Sequence, residues 1–371
     1  MTQLNEAPPI VEIVPGLHRL ATPMTSRALP WVMPYVFEGP DGISLFDSGY
    51  GTTEATESLT TQLATLGYEP SQIQRLIVSH AHPDHLGMAD WIREQSPDCE
   101  LVMTRREAEW HRGSHPRGGE HGEDWMRRND SWLIRHGVDA EEVEASHRQM
   151  RNSGGPPWAS DSRGSGNGAS APRDVSTETE RRSWSIRVED ADRELADGEV
   201  FEFDGWAVEA ILTPGHTPGH LCLYERNHRV LFTGDHVLSR ITPNCSLSQE
   251  DEEIDRSPLA EYLDSLRKVA AFDTAQALPA HEALIDDLPA RCDELQLHHE
   301  DRLEEVLVGI GDAAATASDI SAKVTWNKPY STFNIFKKRS ALGETLAHLK
   351  LLAEDGRVRE HHEAQVRWER V

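Results

Sequence analysis

The stretch Ser79-His80-Ala81-His82-Pro83-Asp84-His85 follows directly on the apolar run Leu76-Ile77-Val78. The apolar run predicts a buried strand that ends at a functional edge. His80 and His82 are two residues apart in an extended segment, so their imidazoles project to the same side and can share one metal ion. The next pair, Asp84-His85, lies where the chain turns into a helix and can reach a neighbouring metal. This ligand set suits Zn²⁺ first, then Fe or Mn; the alternative is a polar, histidine-rich surface loop.

Four further apolar runs end in a His or Asp residue. Each predicts a strand that delivers a polar side chain at its C-terminal edge, where α/β folds build their sites. Because the arrangement recurs, a histidine-rich surface loop is a weaker explanation for residues 79–85. The runs are Leu45-Phe46 before Asp47, Ala210-Ile211-Leu212 before Thr213–His220, Val230–Thr233 before Asp235 and His236, and Leu278–Ala280 before His281.

In the order of these motifs the chain resembles the metallo-β-lactamase superfamily of hydrolases, whose pattern is HxHxDH, a lone His, a bridging Asp and a last His. The resemblance spans roughly residues 10–285 and implies an α/β (α+β) fold, the αββα sandwich, with two metal ions in a cleft at one edge. Zn²⁺ is expected at both positions, with Fe or Mn as alternatives. Carried over residue by residue, one metal takes His80, His82 and His216, the other takes Asp84, His85 and His281, and Asp235 bridges them.

The resemblance also implies residues that support the ligands. Asp47 would orient a ligand imidazole, as carboxylates beside metal sites do, and His220 would be a donor to a ligand. For both His220 and His236 a purely structural role is the alternative. Asp235 stands where antibiotic-destroying lactamases carry Cys, which makes the chain more similar to the thioesterase, lactonase and nuclease branches.

Two cations ~3.5–4 Å apart deprotonate a shared water near neutral pH, and a metal-bridging hydroxide can then attack a carbonyl centre. Asp84 would be the catalytic residue that orients this hydroxide. The sequence therefore predicts a metal-dependent hydrolase of a thioester, ester or lactone, acting on a small-molecule acyl substrate. Two alternatives stay open: a phosphodiesterase of the endoribonuclease kind, and a non-enzymatic nucleic-acid-binding regulator that keeps the sandwich as a scaffold.

Residues 291–371 predict a second domain after a catalytic domain over residues 1–290. Leu295–Leu307 has an amphipathic pattern, Thr316 is suited to capping a second helix, and Leu342–Leu352 carries a stripe of leucines before a short terminal hairpin. This order resembles the winged-helix domain appended to one branch of the lactamase-like hydrolases, some of which cleave RNA and some acyl thioesters. We expect it to wall the substrate channel or to form the contact of a homodimer.

The charge distribution separates the candidate partners. The 371-residue chain has 63 acidic and 37 basic residues, a formal net charge of −26, and residues 301–371 carry 11 of each sign. The excess acidic charge therefore lies in residues 1–300, where it would repel a polyanion or an anionic membrane. Lys337-Lys338-Arg339 is a basic cluster too short to grip a phosphate backbone. We expect carbonyl hydrolysis in preference to RNA cleavage, and no nucleic-acid or membrane partner.

Residues 105–185 are predicted to be a variable insertion that covers the site. Within it, residues 151–185 are rich in Gly, Ser, Pro and Arg, a composition that predicts disorder. The three tryptophans of residues 105–150, Trp110, Trp125 and Trp132, suit either contact with a partly apolar substrate or ordinary packing. One cluster of histidines in the insertion has spacings that fit no ligand template and predicts a solvated loop: His111, His115 and His121.

The cysteines indicate a reducing compartment. The four cysteines are far apart and form no CxxC pair. The N-terminal sequence has neither a basic start nor an apolar core, as a signal peptide would. The sequence therefore predicts a cytoplasmic protein.

Overall fold

The computed structural model describes residues 7–24, 29–114, 120–152 and 191–371. Residues 153–185 of the segment predicted to be disordered, and His115, lie outside the described residues. The strands are β1 Val11–Val14, β2 Leu17–Arg19, β3 Thr22–Pro23, β4 Trp31–Val32, β5 Tyr35–Glu38, β6 Ile43–Phe46, β7 Ile73–Ile77, β8 Glu100–Thr104, β9 Arg193–Leu195, β10 Val200–Phe203, β11 Trp206–Leu212, β12 Leu221–Glu225, β13 Val230–Gly234, β14 Gln276–Pro279, β15 Val358–His362 and β16 Val366–Arg370. The helices are α1 Thr53–Leu66, α2 Pro83–Leu86, α3 Ala89–Gln95, α4 Arg105–Ser114, α5 Glu120–Arg135, α6 Ala140–Asn152, α7 Gln249–Glu253, α8 Pro258–Ala270, α9 Leu288–Ile310, α10 Ala317–Ser321 and α11 Ile335–Glu354.

The chain divides into two compact units, each assembled from separate stretches. The first unit takes Met1–His115, Ala169–Pro243 and Ser265–Cys292, and the second takes Pro116–Gly168, Asn244–Asp264 and Asp293–Val371. The domain boundary predicted near residue 290 stays a prediction. None of the helices in the described ranges has the length and apolar character that crossing a bilayer requires.

The first unit contains a sheet with strand order β1-β2-β5-β6-β7-β8-β9. Strands β5 and β6 form an antiparallel hairpin, with Tyr35 opposite Phe46 and Glu38 opposite Ile43. From β6 to β9 neighbouring strands are parallel. Since parallel strands run the same way, the C-terminal ends of β6, β7 and β8 lie at one edge of the sheet.

A second sheet of the same unit has the order β10-β11-β12-β13-β14. Its first three pairings are antiparallel, and β13 and β14 are parallel. The loops after β11, β13 and β14 carry the remaining predicted site residues.

The two sheets are joined by aromatic side chains. The ring of Phe232 on β13 lies 5.1 Å from the rings of Tyr35 and Phe37 and 5.5 Å from that of Phe46, all on the first sheet. Burial of a side chain of this size stabilises the fold by roughly 1.5–3 kcal/mol. On β8, Val102 enters this core between the sheets, while its neighbours enter a second core beneath α1 and α3. The predicted α/β sandwich is confirmed.

Helix α1 shows how closely local signals determine an element. The periodicity predicts a helix from Thr53 to Leu66, and the structure has these ends. The side chain of Thr52 accepts a hydrogen bond from Ala55 N at the start, and Gly67 ends the helix with a left-handed φ of 87°.

The second unit contains the helices and the hairpin predicted for the C-terminal segment. The stripe Leu346, Leu349 and Leu352 is buried on α11 as expected, and β15 pairs with β16. Helix α11 begins at Ile335 and not at Leu342, because the Asn334 side chain accepts from Lys337 N and caps it there. The winged-helix assignment stays a prediction.

Two tryptophans of the predicted insertion pack within the second unit. Nε1 of Trp125 donates to Glu250 at 2.8 Å, and Nε1 of Trp132 donates to Glu252 at 2.7 Å. These contacts agree with packing, one of the two roles left open. In the first unit His111 is buried on α4, so the expected solvated loop is wrong for this residue.

Candidate metal centre

Three imidazoles converge at the edge of the first unit; we call His80, His82 and His216 the three-histidine group. Nε2 of His80 lies 2.9 Å from Nδ1 of His82 and 3.2 Å from Nε2 of His216. The last two nitrogen atoms are 3.0 Å apart. Ring nitrogens aimed at one point repel each other unless a cation or protons lie between them, and three imidazoles are a common ligand set for Zn²⁺.

The backbone explains why these rings meet. His80 lies three residues after the end of β7 at Ile77, and His82 is extended (φ −71°, ψ 151°) just before α2 begins at Pro83. A proline is favoured at the first position of a helix, because the missing N–H has no partner there. His216 lies in the loop after β11, so two sheets supply the group.

Asp84, His85 and His281 form a second cluster, which we call the mixed group. Oδ2 of Asp84 lies 3.4 Å from Nε2 of His281 and 3.6 Å from Nε2 of His85. The two histidine side chains are fully buried, and that of Asp84 is 14% exposed.

Asp235 lies between the two groups. Its Oδ1 is 3.3 Å from Nε2 of His281 and 3.6 Å from Nε2 of His85, both in the mixed group. Its Oδ2 is 3.6 Å from Nε2 of His216 in the three-histidine group. One carboxylate therefore offers an oxygen atom to each side.

The donor set fits two divalent cations. Among the described residues, Nε2 of His85, Oδ1 of Asp235 and Nε2 of His281 are buried without a hydrogen-bond partner. Such atoms are costly unless something satisfies them. The nitrogen and oxygen atoms of each group lie within 4.8 Å of one another, a set that Zn²⁺, Fe or Mn accepts.

Asp47 contacts His85, one of the predicted ligands. Its Oδ2 lies 2.8 Å from Nδ1 of His85 and accepts from Oγ of Ser79 at 2.9 Å, while its Oδ1 accepts from the backbone N–H of Ser79 at 2.7 Å. A proton held on Nδ1 leaves the lone pair of Nε2 facing the site. Ser79, which the sequence did not single out, joins Asp47 to the ligand segment.

His220 supports the backbone of Asp235 and has no nitrogen left for a metal. Its Nε2 accepts from the N–H of Asp235 at 3.1 Å, so its proton is on Nδ1, which lies 2.8 Å from Oγ1 of Thr213. His281 is oriented similarly: its Nδ1 donates to the carbonyl of Trp31 at 2.9 Å, which directs Nε2 to the mixed group. His220 therefore contacts the backbone of Asp235, the residue predicted to bridge the two metals.

The two groups differ in their electrostatics. Burial and the neighbouring imidazoles hold the pKa of His80 well below its usual value and lower the pKa of His82 to about 3. In the mixed group burial disfavours charge, yet Asp47, Asp84 and Asp235 outweigh it and raise the pKa of His85. Burial raises the pKa of Asp84, but His85 and His281 outweigh it and lower that pKa to about 2. His80 and His82 thus present neutral imidazoles, the form that binds metals.

Glu107 is a site neighbour that sequence reasoning missed. It lies on α4, is fully buried, and accepts hydrogen bonds from Ala81 N and from the segment Thr217–Gly219. The sequence signal available was Thr104-Arg105-Arg106-Glu107, a pattern that by itself indicates only a helix cap.

Trp110 lies one turn further along α4. Its ring centroid is 6.3 Å from that of His82, nearly edge to face. Of the tryptophans in the predicted insertion, this one lies beside a predicted ligand.

The chain matches the family model of the metallo-beta-lactamase superfamily over residues 32–159 and 162–281. It is also similar to curated fungal proteins. A lactamase-like protein (nscB) of Arthroderma gypseum is 29% identical over 178 residues, which is 48% of this chain and 49% of that protein. A lactamase-like protein (aptB) of Emericella nidulans is 31% identical over 134 residues, 36% of this chain and 40% of that protein. The matches thus span about half the length of these relatives, or less.

Two solved structures resemble almost the entire chain. A metallo-beta-lactamase family protein from Thermus thermophilus has a TM-score of 0.72 and 26% identity, covering 97% of this chain and 100% of that one. A beta-lactamase domain protein from Burkholderia ambifaria has a TM-score of 0.72 at 24% identity, covering 98% of this chain and 93% of that one, and shows the shared fold. The family model covers well over half of the sequence. The chain therefore belongs to the metallo-β-lactamase superfamily.

Proposed function

We propose that this chain is a dinuclear-metal hydrolase that acts on the carbonyl centre of a thioester, ester or lactone. The observation that carries the proposal is the convergence of seven side chains into two ligand groups that share Asp235. The three-histidine group would hold one cation and the mixed group the other, with Zn²⁺ expected first and Fe or Mn as alternatives.

Two bound cations would supply an activated water and polarise the substrate carbonyl. Within the mixed group, Asp84 is best placed to handle that water, because its side chain is 14% exposed while His85 and His281 are fully buried. Its carboxylate can accept a hydrogen bond from the attacking water and orient it. Trp110, beside His82, offers an apolar wall for the acyl part of a substrate.

The contacts of the basic cluster favour a carbonyl substrate over RNA. Nζ of Lys338 lies 2.7 Å from Glu142, and the guanidinium of Arg339 lies 5.2 Å from the ring centroid of Trp125. Lys337 is exposed. Because Lys338 is paired and Arg339 is half-buried, this cluster is poorly suited to binding the phosphate groups of RNA. The acidic first 300 residues would also repel a polyanion.

The decisive experiment assays the metal-loaded protein in parallel on an acyl-CoA thioester, an N-acyl homoserine lactone, a bis-aryl phosphodiester and single-stranded RNA. We expect hydrolysis of at least one carbonyl substrate and none of the two phosphodiesters. Cleavage of RNA with inert carbonyl substrates would reverse the proposal in favour of a ribonuclease.

Variants of the predicted ligands distinguish hydrolysis at the proposed metal site from the activity of a contaminating enzyme. His80→Ala and Asp235→Ala should abolish hydrolysis and lower the metal content, which we expect to be close to two equivalents in the wild-type chain. The fold should persist, since these side chains follow strand ends. His228→Ala is the matched control: it removes an imidazole of the first unit that pairs with Glu225 instead. Equal activity in Asp235→Ala and wild type would refute the proposed site.

A further inference from the structure

Glu107 is a buried carboxylate that joins two ligand-bearing loops. Oε1 accepts from the backbone N–H of Ala81 at 2.8 Å. Oε2 accepts from Oγ1 of Thr217 at 2.8 Å and from the N–H of Gly219 at 2.9 Å. Ala81 is 26 residues from Glu107 along the chain and Thr217 is 110 residues from it, so no local pattern brings the two loops together.

The positions of these donors are specific to the three-histidine group. Ala81 lies between His80 and His82, and Thr217 directly follows His216. A buried carboxylate is costly unless hydrogen bonds satisfy it, and donors on both loops do so here. The same carboxylate therefore restrains the backbone on both sides of the three imidazoles.

The start of α4 is fastened to the same loop by a second set of contacts. Oγ1 of Thr104 donates to the carbonyl of Gly219 at 2.6 Å and accepts from the N–H of Glu107 at 3.1 Å. A Cβ atom at Gly219 would lie 2.1 Å from the backbone nitrogen of Glu107, so only glycine permits this approach. In an ordinary capping box the glutamate would turn back to the N–H of the capping residue. Here it is directed to the ligand loops.

We propose that Glu107 is a positioning residue that sets the metal affinity of the three-histidine group. It acts through the backbone of the two loops, which it holds at the spacing that one cation requires. The inference deepens the proposed function and rests on it, since it presupposes a metal at these imidazoles. These hydrogen bonds go to residues beside the three imidazoles, so the affinity of the mixed group should change less.

Glu107→Gln tests the proposal with a side chain of nearly the same shape. The amide keeps one oxygen as an acceptor for one ligand-bearing loop. Its N–H₂ group would face the hydrogen-bond donors of the other loop, to which it cannot bond. Metal affinity is measured by competition with a chromophoric zinc chelator, and the geometry by the visible spectrum of the Co²⁺-loaded protein. We expect one of the two equivalents to bind about 10–100-fold more weakly, with an altered Co²⁺ spectrum. Glu109→Gln, exposed on the same helix, should match wild type in both measurements.

Thr217→Val supplies a second, milder test, because it removes one donor to Glu107 while keeping the buried shape. Thr217→Val should weaken the binding of the same metal equivalent several-fold. If circular dichroism in the presence of a chelator shows that Glu107→Gln does not fold, Thr217→Val serves as the test. Wild-type affinity for both equivalents in the folded variants would overturn the role of Glu107 and leave the proposed function standing. A wild-type chain that binds no metal would overturn both.

Discussion

Nδ1 of His85 lies 2.8 Å from Oδ2 of Asp47, a residue that holds a left-handed φ of 61° directly after β6. Both side chains are buried, so the contact is shielded from water. The carboxylate keeps the proton of the imidazole on Nδ1 and leaves Nε2 for a metal.

Asp47→Asn should reverse this tautomer. The remaining oxygen is needed by the N–H of Ser79, so the amide N–H₂ would face His85 and drive its proton to Nε2. We expect metal affinity or activity to fall about 10–100-fold. Metal content and hydrolysis rates check this. Asp255→Asn is the control, since that residue has a φ of 55° and a side chain that is 91% exposed; a similar loss there would point to backbone strain.

Removal of metal should destabilise the first unit more than the second, which contains none of the proposed ligands. Ligands that bind the folded state alone stabilise it by about 4 kcal/mol when present at ~1,000 times their Kd. Incubation with a chelator should therefore lower the melting temperature by several degrees, and re-addition of Zn²⁺ should restore it. Thermal unfolding followed by calorimetry, with and without chelator, checks this. An unchanged melting temperature on complete metal removal would contradict it.

A buried histidine pair in the second unit should make stability depend on pH. Nδ1 of His299 lies 3.1 Å from Nε2 of His348, whose Nδ1 donates to the carbonyl of Glu344. Burial, helped by neighbouring imidazoles and Arg302, lowers the pKa of His299 to about 2; burial likewise lowers that of His348 to about 4. Both rings are thus neutral in the folded chain near neutral pH.

In the unfolded chain both histidines have a pKa of about 6.5, so they bind protons at pH values at which the folded chain keeps them neutral. The stability contributed by the neutral rings is therefore complete above pH ~6.5. It is lost as the pH falls from there towards ~4 for His348 and towards ~2 for His299, at up to about 1.4 kcal/mol per pH unit for each histidine. Urea unfolding of wild type and of a His299→Leu/His348→Leu variant measures this difference. The variant should lose less stability on acidification, whereas His362→Leu, 72% exposed, should behave as wild type.

The basic cluster of the second unit should be dispensable for hydrolysis. Lys337→Glu alters an exposed charge and should leave both the rate on a small acyl substrate and the stability unchanged. Lys338→Glu would face Glu142 and should cost on the order of 1 kcal/mol of stability. RNA binding, followed by fluorescence anisotropy, should be weak in wild type and vanish near ~150 mM salt. Tight binding at that salt, removed by Lys337→Glu, would contradict this account.

The sequence by itself determined the elements whose signals are local. The periodicity of Thr53–Leu66 predicted α1 to the residue, and the apolar runs before Asp47, His80, Asp235 and His281 predicted strands that the structure contains. It also predicted that each of these strands would deliver its polar residue at its C-terminal edge, where α/β folds build their sites. That these edges belong to two different sheets was decided by the tertiary structure.

Tertiary structure decided which partner each side chain takes. Thr104-Arg105-Arg106-Glu107 has the pattern of a helix cap, yet the carboxylate contacts Ala81 and Thr217, which no spacing in the sequence brings near it. Likewise, the basic cluster meets Glu142 and Trp125 only because α11 packs near α5 and α6 in the second unit. Hydrogen bonds and ion pairs act over a few ångströms in space, whatever the separation along the chain. Periodicity and capping act over one or two turns, and only they can be read directly from the sequence.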